Sequence, residues 1–210
     1  MTFPGLVRAN NLNDITDQEK AWDNLGVNIE ASFSYSASAG IDLYNSLSLP
    51  VRTNPNGVWA YGYATSLGST SMTLVAIQTA TGWNGPGSFN TPFFNASFNS
   101  EQINSHPPVA VTSNTVAVVR WTSPFVDNTP IQIEAAFRKN DPSGNGINPR
   151  IYKESTLIHN AGIVTSTTVA SSFVGSTVVN NGQRIFFQVG DNGNSSNDNF
   201  WYDYIRIIVP

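Results

Sequence analysis

The 210-residue chain contains no cysteine and few charged residues. The absence of cysteine excludes disulfides, thiolate metal sites and thiol nucleophiles, and it leaves the redox compartment undetermined. Charged residues make up 11% of the chain, against about a quarter in an average globular protein. A surface that is polar but largely uncharged is typical of turn-rich all-β proteins. The 11% of aromatic residues argues against disorder as the other explanation of this polarity.

Basic clusters and long apolar runs are also missing. The net charge is −4 and the pI is about 5.0, which argues against sequence-independent binding to nucleic acid. No apolar run approaches the length that a membrane-spanning helix needs. The N-terminus has neither the basic region nor the apolar region of a signal peptide, so we expect synthesis in a cytoplasm without a cleaved leader.

Helical periodicity is confined to the first thirty residues. Thr16 and Glu19 have the spacing of a capping box, which predicts a short helix there. The apolar stripe of this helix contains Ile15, Trp22 and Leu25. A helix of two to three turns is not stable alone in water, and this narrow stripe is too small to form a core. We therefore predict that residues 1–30 are a docking segment.

Residues 31–210 instead show short alternating runs separated by Gly, Pro, Asn and Ser. Strands at spacings of about 10–15 residues without intervening helices indicate an antiparallel β-sandwich. The fold class predicted is therefore all-β, a jelly-roll sandwich over residues 31–210 preceded by one short helix. The strands with the clearest patterns are 58–65, 72–79, 115–122, 130–139, 147–154, 156–159, 167–178, 184–189 and 202–209.

The C-terminal half resembles a known class of jelly-roll domain. Residues 118–124 (VVRWTSP), 131–137 (IQIEAAF) and 180–190 (NNGQRIFFQVG) occur in the order seen in carbohydrate-binding modules of secreted bacterial proteins. The resemblance covers about residues 110–210 and implies a sandwich that binds glycan. One departure is Asn-Thr-Pro at 128–130 in place of the usual Ala-Gly-Thr, which affects the expected shape of that hairpin.

The N-terminal segment is similar to a leader on structural proteins of tailed phages, especially marine and cyanobacterial phages. The similarity lies in residues 7–15 (VRANNLNDI) and 19–26 (EKAWDNLG). It implies attachment to a virus particle, through contacts of residues 1–30 with other virion proteins. It also implies location in the virion.

The loop at residues 191–198 is rich in oxygen ligands. Asp191, Asn194 and Asp198 lie close together in sequence, and Ca²⁺ prefers such hard oxygen donors. The loop lacks the register of an EF-hand, and two carboxylates form a weak cage. A simple Asn/Gly turn that closes a hairpin explains the same residues. We predict no cofactor, with Ca²⁺ at these three residues as the alternative.

Three aromatic residues are candidates for glycan binding. Alternation along the last strand predicts Tyr202 and Tyr204 on the face opposite Trp201, where they either stack on sugar rings or pack on a neighbouring segment. Trp83 lies in the Gly/Asn/Pro-rich stretch 81–92, interpreted as a loop, and loops often carry binding residues. For Trp59, Tyr61 and Tyr63, packing in the core is favoured.

Charged residues on the strands have two interpretations. Four charged residues fall on the less apolar faces of their strands: Arg120, Glu134, Arg138 and Arg206. They form either a cluster that binds sugar or carboxylate, or ion pairs with one another on a solvated face. Ion pairing is the favoured interpretation. No motif of a triad, a zincin or a phosphate loop is present. A glycosidase needs two carboxylates, for which Glu134 with Glu154 or Asp203 are the candidates.

These observations predict a non-catalytic virion protein of the tail-fibre or adhesin type that binds host-surface glycan. The alternatives are a capsid decoration or head-fibre protein that binds no glycan and, as a third class, a polysaccharide depolymerase. A virion appendage is commonly a symmetric homo-oligomer, and we expect a trimer before a dimer. We expect the ligand at the rim of the sandwich, with Trp83 stacking and the 191–198 loop contributing oxygens.

Overall fold

The computed structural model describes residues 33–37, 54–55, 57–75, 77–78, 82–84, 92–96, 101–108, 115–193 and 197–210. The predicted helix, with Ile15, Trp22 and Leu25, lies outside these residues. Within the described part no helix is long and apolar enough to cross a membrane. The described strands are β1 (Phe33–Ser36), β2 (Trp59–Ala64), β3 (Thr73–Leu74), β4 (Ile77–Gln78), β5 (Gly82–Asn84), β6 (Phe93–Ala96), β7 (Ile103–Ser105), β8 (Val116–Thr122), β9 (Thr129–Lys139), β10 (Ile147–Lys153), β11 (Thr156–Asn160), β12 (Ser171–Val179), β13 (Arg184–Asp191) and β14 (Phe200–Val209).

Two sheets contain these strands, which confirms the predicted all-β sandwich. The first sheet has the order β12-β9-β14-β7-β6-β5-β4, and β1 also pairs with β14. The second sheet has the order β11-β10-β13-β8-β2-β3. The registered pairs are antiparallel, for example β9 with β14 and β8 with β13. Strands distant in sequence are neighbours in both sheets, so the topology is not a simple meander.

Alternation along the strands places one face of each sheet in a shared core. On β9 the inward residues Ile131, Ile133 and Phe137 are almost fully buried, as the sequence predicted. On β2 Trp59 and Tyr61 are buried, and Tyr63 packs against the same cluster, which confirms the core interpretation of these aromatics. Each buried aromatic or branched side chain contributes roughly 1.5–3 kcal/mol through removal from water.

A second, smaller cluster covers part of the outward face of the second sheet. Val118 and Phe186 point away from the main core, yet they are fully buried because Leu67 and Met72 pack on them. The side-chain amide of Gln188 fixes the covering segment, since its Oε1 accepts from the amide of Gly68 at 2.7 Å and its Nε2 donates to the carbonyl of Ser69 at 2.8 Å. Part of the outward face of this sheet is therefore covered by the segment of Leu67 to Met72.

Candidate functional site

A β-bulge in β14 decides which aromatic side chains reach the surface. The register of β14 on β9 shifts between Tyr202 and Tyr204, because Tyr202 pairs with Phe137 and Tyr204 pairs with Ala136. A bulge adds one residue to one strand and so reverses the alternation beyond it. Phe200 and Tyr202 therefore point inward together with Ile205 and Ile207.

The prediction that Tyr202 and Tyr204 share the face opposite Trp201 is wrong. Tyr202 is 0% exposed and its ring packs edge-on against Phe137 and Phe200, with centroids 5.7 and 5.0 Å apart. Burial raises the pKa of its phenol well above the usual range. Tyr204 and Trp201 are the partly exposed aromatics of this strand. Sequence reasoning missed Trp201 because strict alternation, which ignores the bulge, places it in the core.

Tyr204 and Trp201 belong to a group of side chains that we name the polar face. It is the outward surface of β9 and β14, together with Glu101 and Gln102, which precede β7. Its members are Glu101, Gln102, Glu134, Arg138, Trp201, Asp203, Tyr204 and Arg206. The arginines on this surface are paired, as the sequence favoured, and Arg120 lies on the other sheet.

Arg138 and Asp203 form a two-pronged ion pair on the polar face. The guanidinium donates through Nε to Oδ2 at 2.9 Å and through Nη2 to Oδ1 at 2.7 Å. Gln102 donates to the same Oδ1 at 2.9 Å, and Nη1 of Arg138 donates to the carbonyl of Thr167 at 2.9 Å. The hydrogen bonds that Arg138 donates to Asp203 raise the pKa of the guanidinium. These contacts hold Asp203 in one orientation.

Arg206 lies between two carboxylates. Its Nε donates to both oxygens of Glu101, at 3.0 and 2.8 Å, and its Nη1 donates to Glu134 at 3.3 Å. The bonds to Glu101 contribute most to the raised pKa of Arg206. The guanidinium carbon also lies 4.9 Å from the centroid of the Tyr204 ring, so one face of that ring is covered by a cation. Trp201 has no such neighbour among the described ring contacts.

The stretch interpreted as the Trp83 loop contains a strand. Gly82–Asn84 form β5, in which Trp83 is opposite Phe94 of β6 and Gln78 of β4. The prediction that this residue is free of strand pairing is therefore wrong. The side chain of Trp83 lies outside the described residues, and its predicted contact with a ligand stays a prediction.

The 191–198 loop does not present its carboxylates as a group. Asp198 is 0% exposed, and its Oδ1 lies 3.9 Å from Nζ of Lys139, which is 1% exposed. Oδ1 also accepts from the amide of Gly146 at 3.2 Å. The ammonium of Lys139 thus occupies the space beside this carboxylate, and it donates as well to the carbonyl of Gly144.

This buried pair corrects the prediction of Asp198 as a surface ligand. Burial raises the pKa of Asp198, and the Gly146 amide and Lys139 offset part of that increase. No cluster of three or more His, Asp or Glu suited to a metal ion occurs within the described residues. Asn194 lies outside them, while Asp191 is half-buried at the end of β13. A Ca²⁺ ion here would require a different position of Lys139.

The outward face of the second sheet carries its own ion pair. Arg184 donates through Nε and Nη2 to Glu154, with the shortest contact at 2.6 Å, and its guanidinium lies 5.3 Å from the ring of Phe186. The hydrogen bonds from Arg184 lower the pKa of Glu154. Burial, together with nearby Arg184, lowers the pKa of Arg120.

The carboxylates considered for a glycosidase do not share one surface. Glu134 is on the polar face of the first sheet, whereas Glu154 follows β10 in the second sheet. Glu134 and Asp203 do share the polar face, but each accepts hydrogen bonds from an arginine. Of the two histidines, His106 is nearly buried, and the ring of His159 lies 4.6 Å from that of Phe173.

Comparison with known proteins gives similarity of structure only. No protein-family profile and no curated protein matches the chain. The CBM51-2 module with INT domains of ZmpB from Clostridium perfringens, solved with GlcNAc, aligns at 13% identity and TM-score 0.37, over 57% of this chain and 23% of that one.

Two further solved structures align over most of this chain. A CBM51 module of a Clostridium perfringens GH95 protein, solved with methyl-galactose, aligns at 10% identity and TM-score 0.39, over 83% and 99% of the two chains. The Stig cyclase Fisc of Fischerella sp. TAU aligns at 10% identity and TM-score 0.40, over 86% and 99%. Similarities of this size assign no activity, and the fold class rests on the two sheets described above.

Proposed function

We propose that this protein is a non-catalytic virion component that binds a host-surface glycan through the polar face. The observation that carries the proposal is the position of Trp201 and Tyr204 on one strand, partly exposed, beside carboxylates and guanidinium groups that are already held in place. The resemblance of residues 110–210 to carbohydrate-binding jelly-roll modules supports the same class of ligand.

The chemistry of a sugar suits such a surface. A pyranose ring has an apolar face of C–H groups, which packs on an aromatic ring, and a rim of hydroxyl groups, which need donors and acceptors. Trp201 supplies a large ring on the polar face, and Asp203 and Arg138 next to it supply an acceptor and donors. Trp201 pairs with Arg138 on β9 and with Asn104 on β7, so polar groups flank the ring on both sides.

The existing ion pairs help rather than prevent binding. Arg138 and Asp203 are fixed by each other, by Gln102 and by the Thr167 carbonyl, so little side-chain entropy is lost when a hydroxyl group binds. Hydrogen bonds to charged groups are also stronger than those between neutral groups. A neutral glycan is favoured over an anionic one, because each arginine of this face already has a carboxylate partner.

A glycan array and a host-cell pull-down test the proposal. Trp201→Ala should reduce glycan binding by at least about tenfold, the equivalent of 1.4 kcal/mol, because the stacking surface is lost. Far-ultraviolet circular dichroism should be unchanged, since Trp201 is partly exposed. Binding that survives this substitution would contradict the assignment of the polar face.

Two arginines of equal exposure give a matched control. Arg206 pairs with Glu101 at side-chain exposures of 36% and 38%, and Arg184 pairs with Glu154 at 35% and 34% on the other sheet. Arg206→Gln should weaken glycan binding, while Arg184→Gln should not. An equal effect of both would indicate a general loss of charge or stability and not a site on the first sheet.

The virion part of the proposal depends on residues 1–30 and their resemblance to phage leaders. Deletion of residues 1–28 should leave a soluble folded domain that still binds glycan but no longer enters particles. Incorporation of the truncated protein would contradict the docking role. Incorporation of the full chain without any glycan binding would support the alternative of a decoration or head-fibre protein, and release of reducing ends from host polysaccharide would instead reveal a depolymerase.

A further inference from the structure

Exposed large apolar side chains gather around one edge of the sandwich. Five of the six within the described residues fall between positions 157 and 178 and form this group. The sixth, Val126, lies off the strand edge, in the segment between β8 and β9. They are Val126 (78% exposed), Leu157 (46%), Ile163 (45%), Val169 (69%), Val174 (64%) and Val178 (44%). Scattered single apolar residues are normal on a surface, but a group at one edge indicates an interaction surface.

The two strands at this edge contain no charged residue. Between Glu154 and Arg184 the sequence has no Asp, Glu, Lys or Arg, although it includes two strands, β11 and β12. The two strands belong to different sheets and are neighbours at this edge. The contact between the His159 ring of β11 and the Phe173 ring of β12 shows this. Two copies of such a surface can approach each other without electrostatic repulsion.

β12 is also the longest edge strand among the described ones. It has nine residues and pairs with β9 along one side, whereas β4 and β3 at the far edges have two residues each and β11 has five. Proteins usually protect an edge strand with lysine, proline or a bulge. β12 contains none of these, and its register on β9 is continuous. Lys153 gives some protection at the end, where its ammonium donates to the carbonyl of Val178.

We propose that β12 pairs with β12 of a second copy of this chain, antiparallel and about a two-fold axis at Val174. Because Lys153 donates to the Val178 carbonyl, the part of β12 whose outer side has no partner among the described residues is 171–177, and Val174 is its midpoint. In this register Val174 meets Val174 of the other copy, and Ser172 lies opposite Ser176. The exposed alternation of Ser172, Val174 and Ser176 is then self-complementary.

The contact is isologous, so it closes with two copies. It therefore predicts a dimer instead of the trimer expected from sequence. A second copy fits better than a foreign strand, because an uncharged edge has no side chain that selects a partner, while its own copy matches it residue by residue. Backbone pairing of the two β12 strands joins the first sheets of both copies into one continuous sheet. Side chains of paired residues then point to the same side of that sheet.

The absence of cysteine from the chain permits a direct test by crosslinking. Opposed Cα atoms in an antiparallel pair lie about 4.5–5.5 Å apart, within the range that a disulfide spans. Val174→Cys should form a covalent dimer under mild oxidation. Val126→Cys, at a more exposed position off the strand, should remain monomeric on a non-reducing gel.

Charge at the axis gives the second test. In sedimentation velocity the wild type should be a dimer at micromolar concentration, and Val174→Lys should raise the dimer dissociation constant by at least about tenfold, because like charges then face each other across the strands. Val126→Lys should leave the dimer unchanged. Both positions are exposed, so circular dichroism should report intact folds.

Each other result would overturn the proposal. A wild type that stays monomeric at high concentration, with the amides of β12 protected from hydrogen exchange, would mean that the chain covers its own edge. A trimer, or a dimer that Val174→Lys leaves intact, would place the interface elsewhere. Equal crosslinking of Val174→Cys and Val126→Cys would show random collision instead of a defined pairing.

Discussion

The buried pair of Lys139 and Asp198 gives the sharpest stability prediction. Unit charges 3.9 Å apart interact by about 4 kcal/mol at an effective dielectric constant near 20. Lys139→Met removes this attraction and the hydrogen bond to Gly144, and it leaves the carboxylate buried without a cation. We expect a loss of about 3–5 kcal/mol in the free energy of unfolding at pH 7.5, measured by urea denaturation.

The pH dependence of Lys139→Met identifies the cause. Burial raises the pKa of Asp198, Lys139 lowers it, and loss of the ammonium raises it further. A carboxyl group whose native pKa exceeds its unfolded value contributes stability that is present below the unfolded pKa and is lost as the pH rises through the native pKa. The loss in the free energy of unfolding caused by Lys139→Met should therefore become smaller as the pH falls from 7.5 towards 4. Lys139→Met/Asp198→Asn should recover stability at pH 7.5, because a neutral amide can still accept from Gly146.

The half-buried pair of Arg184 and Glu154 is the matched control. Its side chains are 35% and 34% exposed, so Arg184→Met should cost less than about 1 kcal/mol. A deficit of Lys139→Met that is equal at pH 4.5 and 7.5 would refute the role assigned to the buried carboxylate. A deficit below about 1 kcal/mol would show that Lys139 and Asp198 interact more weakly than their burial indicates.

Three further predictions follow from the same geometry. In urea denaturation, Tyr202→Ala should lower the free energy of unfolding by about 3–5 kcal/mol, and Tyr204→Ala should lower it by under about 1 kcal/mol. Equal losses would refute the bulge assignment. The hydrogen bond from Arg184 is the main cause of the lowered pKa of Glu154, so this pair stabilises the fold at neutral pH. The stability that it contributes is lost as the pH falls through the lowered pKa. Glu154→Gln should remove this loss of stability at acidic pH, measured in thermal melts. Gly144→Ala should lower the melting temperature, because a Cβ there would lie 2.1 Å from the buried carboxylate and 2.4 Å from a backbone oxygen, and an unchanged melt would refute the close approach.

Much of the strand content could be predicted because alternation is local. On β9 the inward set Ile131, Ile133 and Phe137 follows directly from the period of two, and the polar set of Glu134 and Arg138 follows with it. The same reasoning failed on β14, where one extra residue between Tyr202 and Tyr204 reverses the pattern. Bulges depend on the neighbouring strand, so composition within the strand does not reveal them.

The sequence by itself determined the class of fold and the nature of the surface. Its alternating strands require two packed sheets, and its few charges leave a polar, mostly neutral exterior. The tertiary structure alone decided which aromatics reach the surface, which carboxylates meet arginine, and that Asp198 is enclosed with Lys139. Arg138 and Asp203 are 65 residues apart in the chain, and Arg206 and Glu101 are 105 apart. Only the folding of distant parts of the chain onto one another brings their charges together.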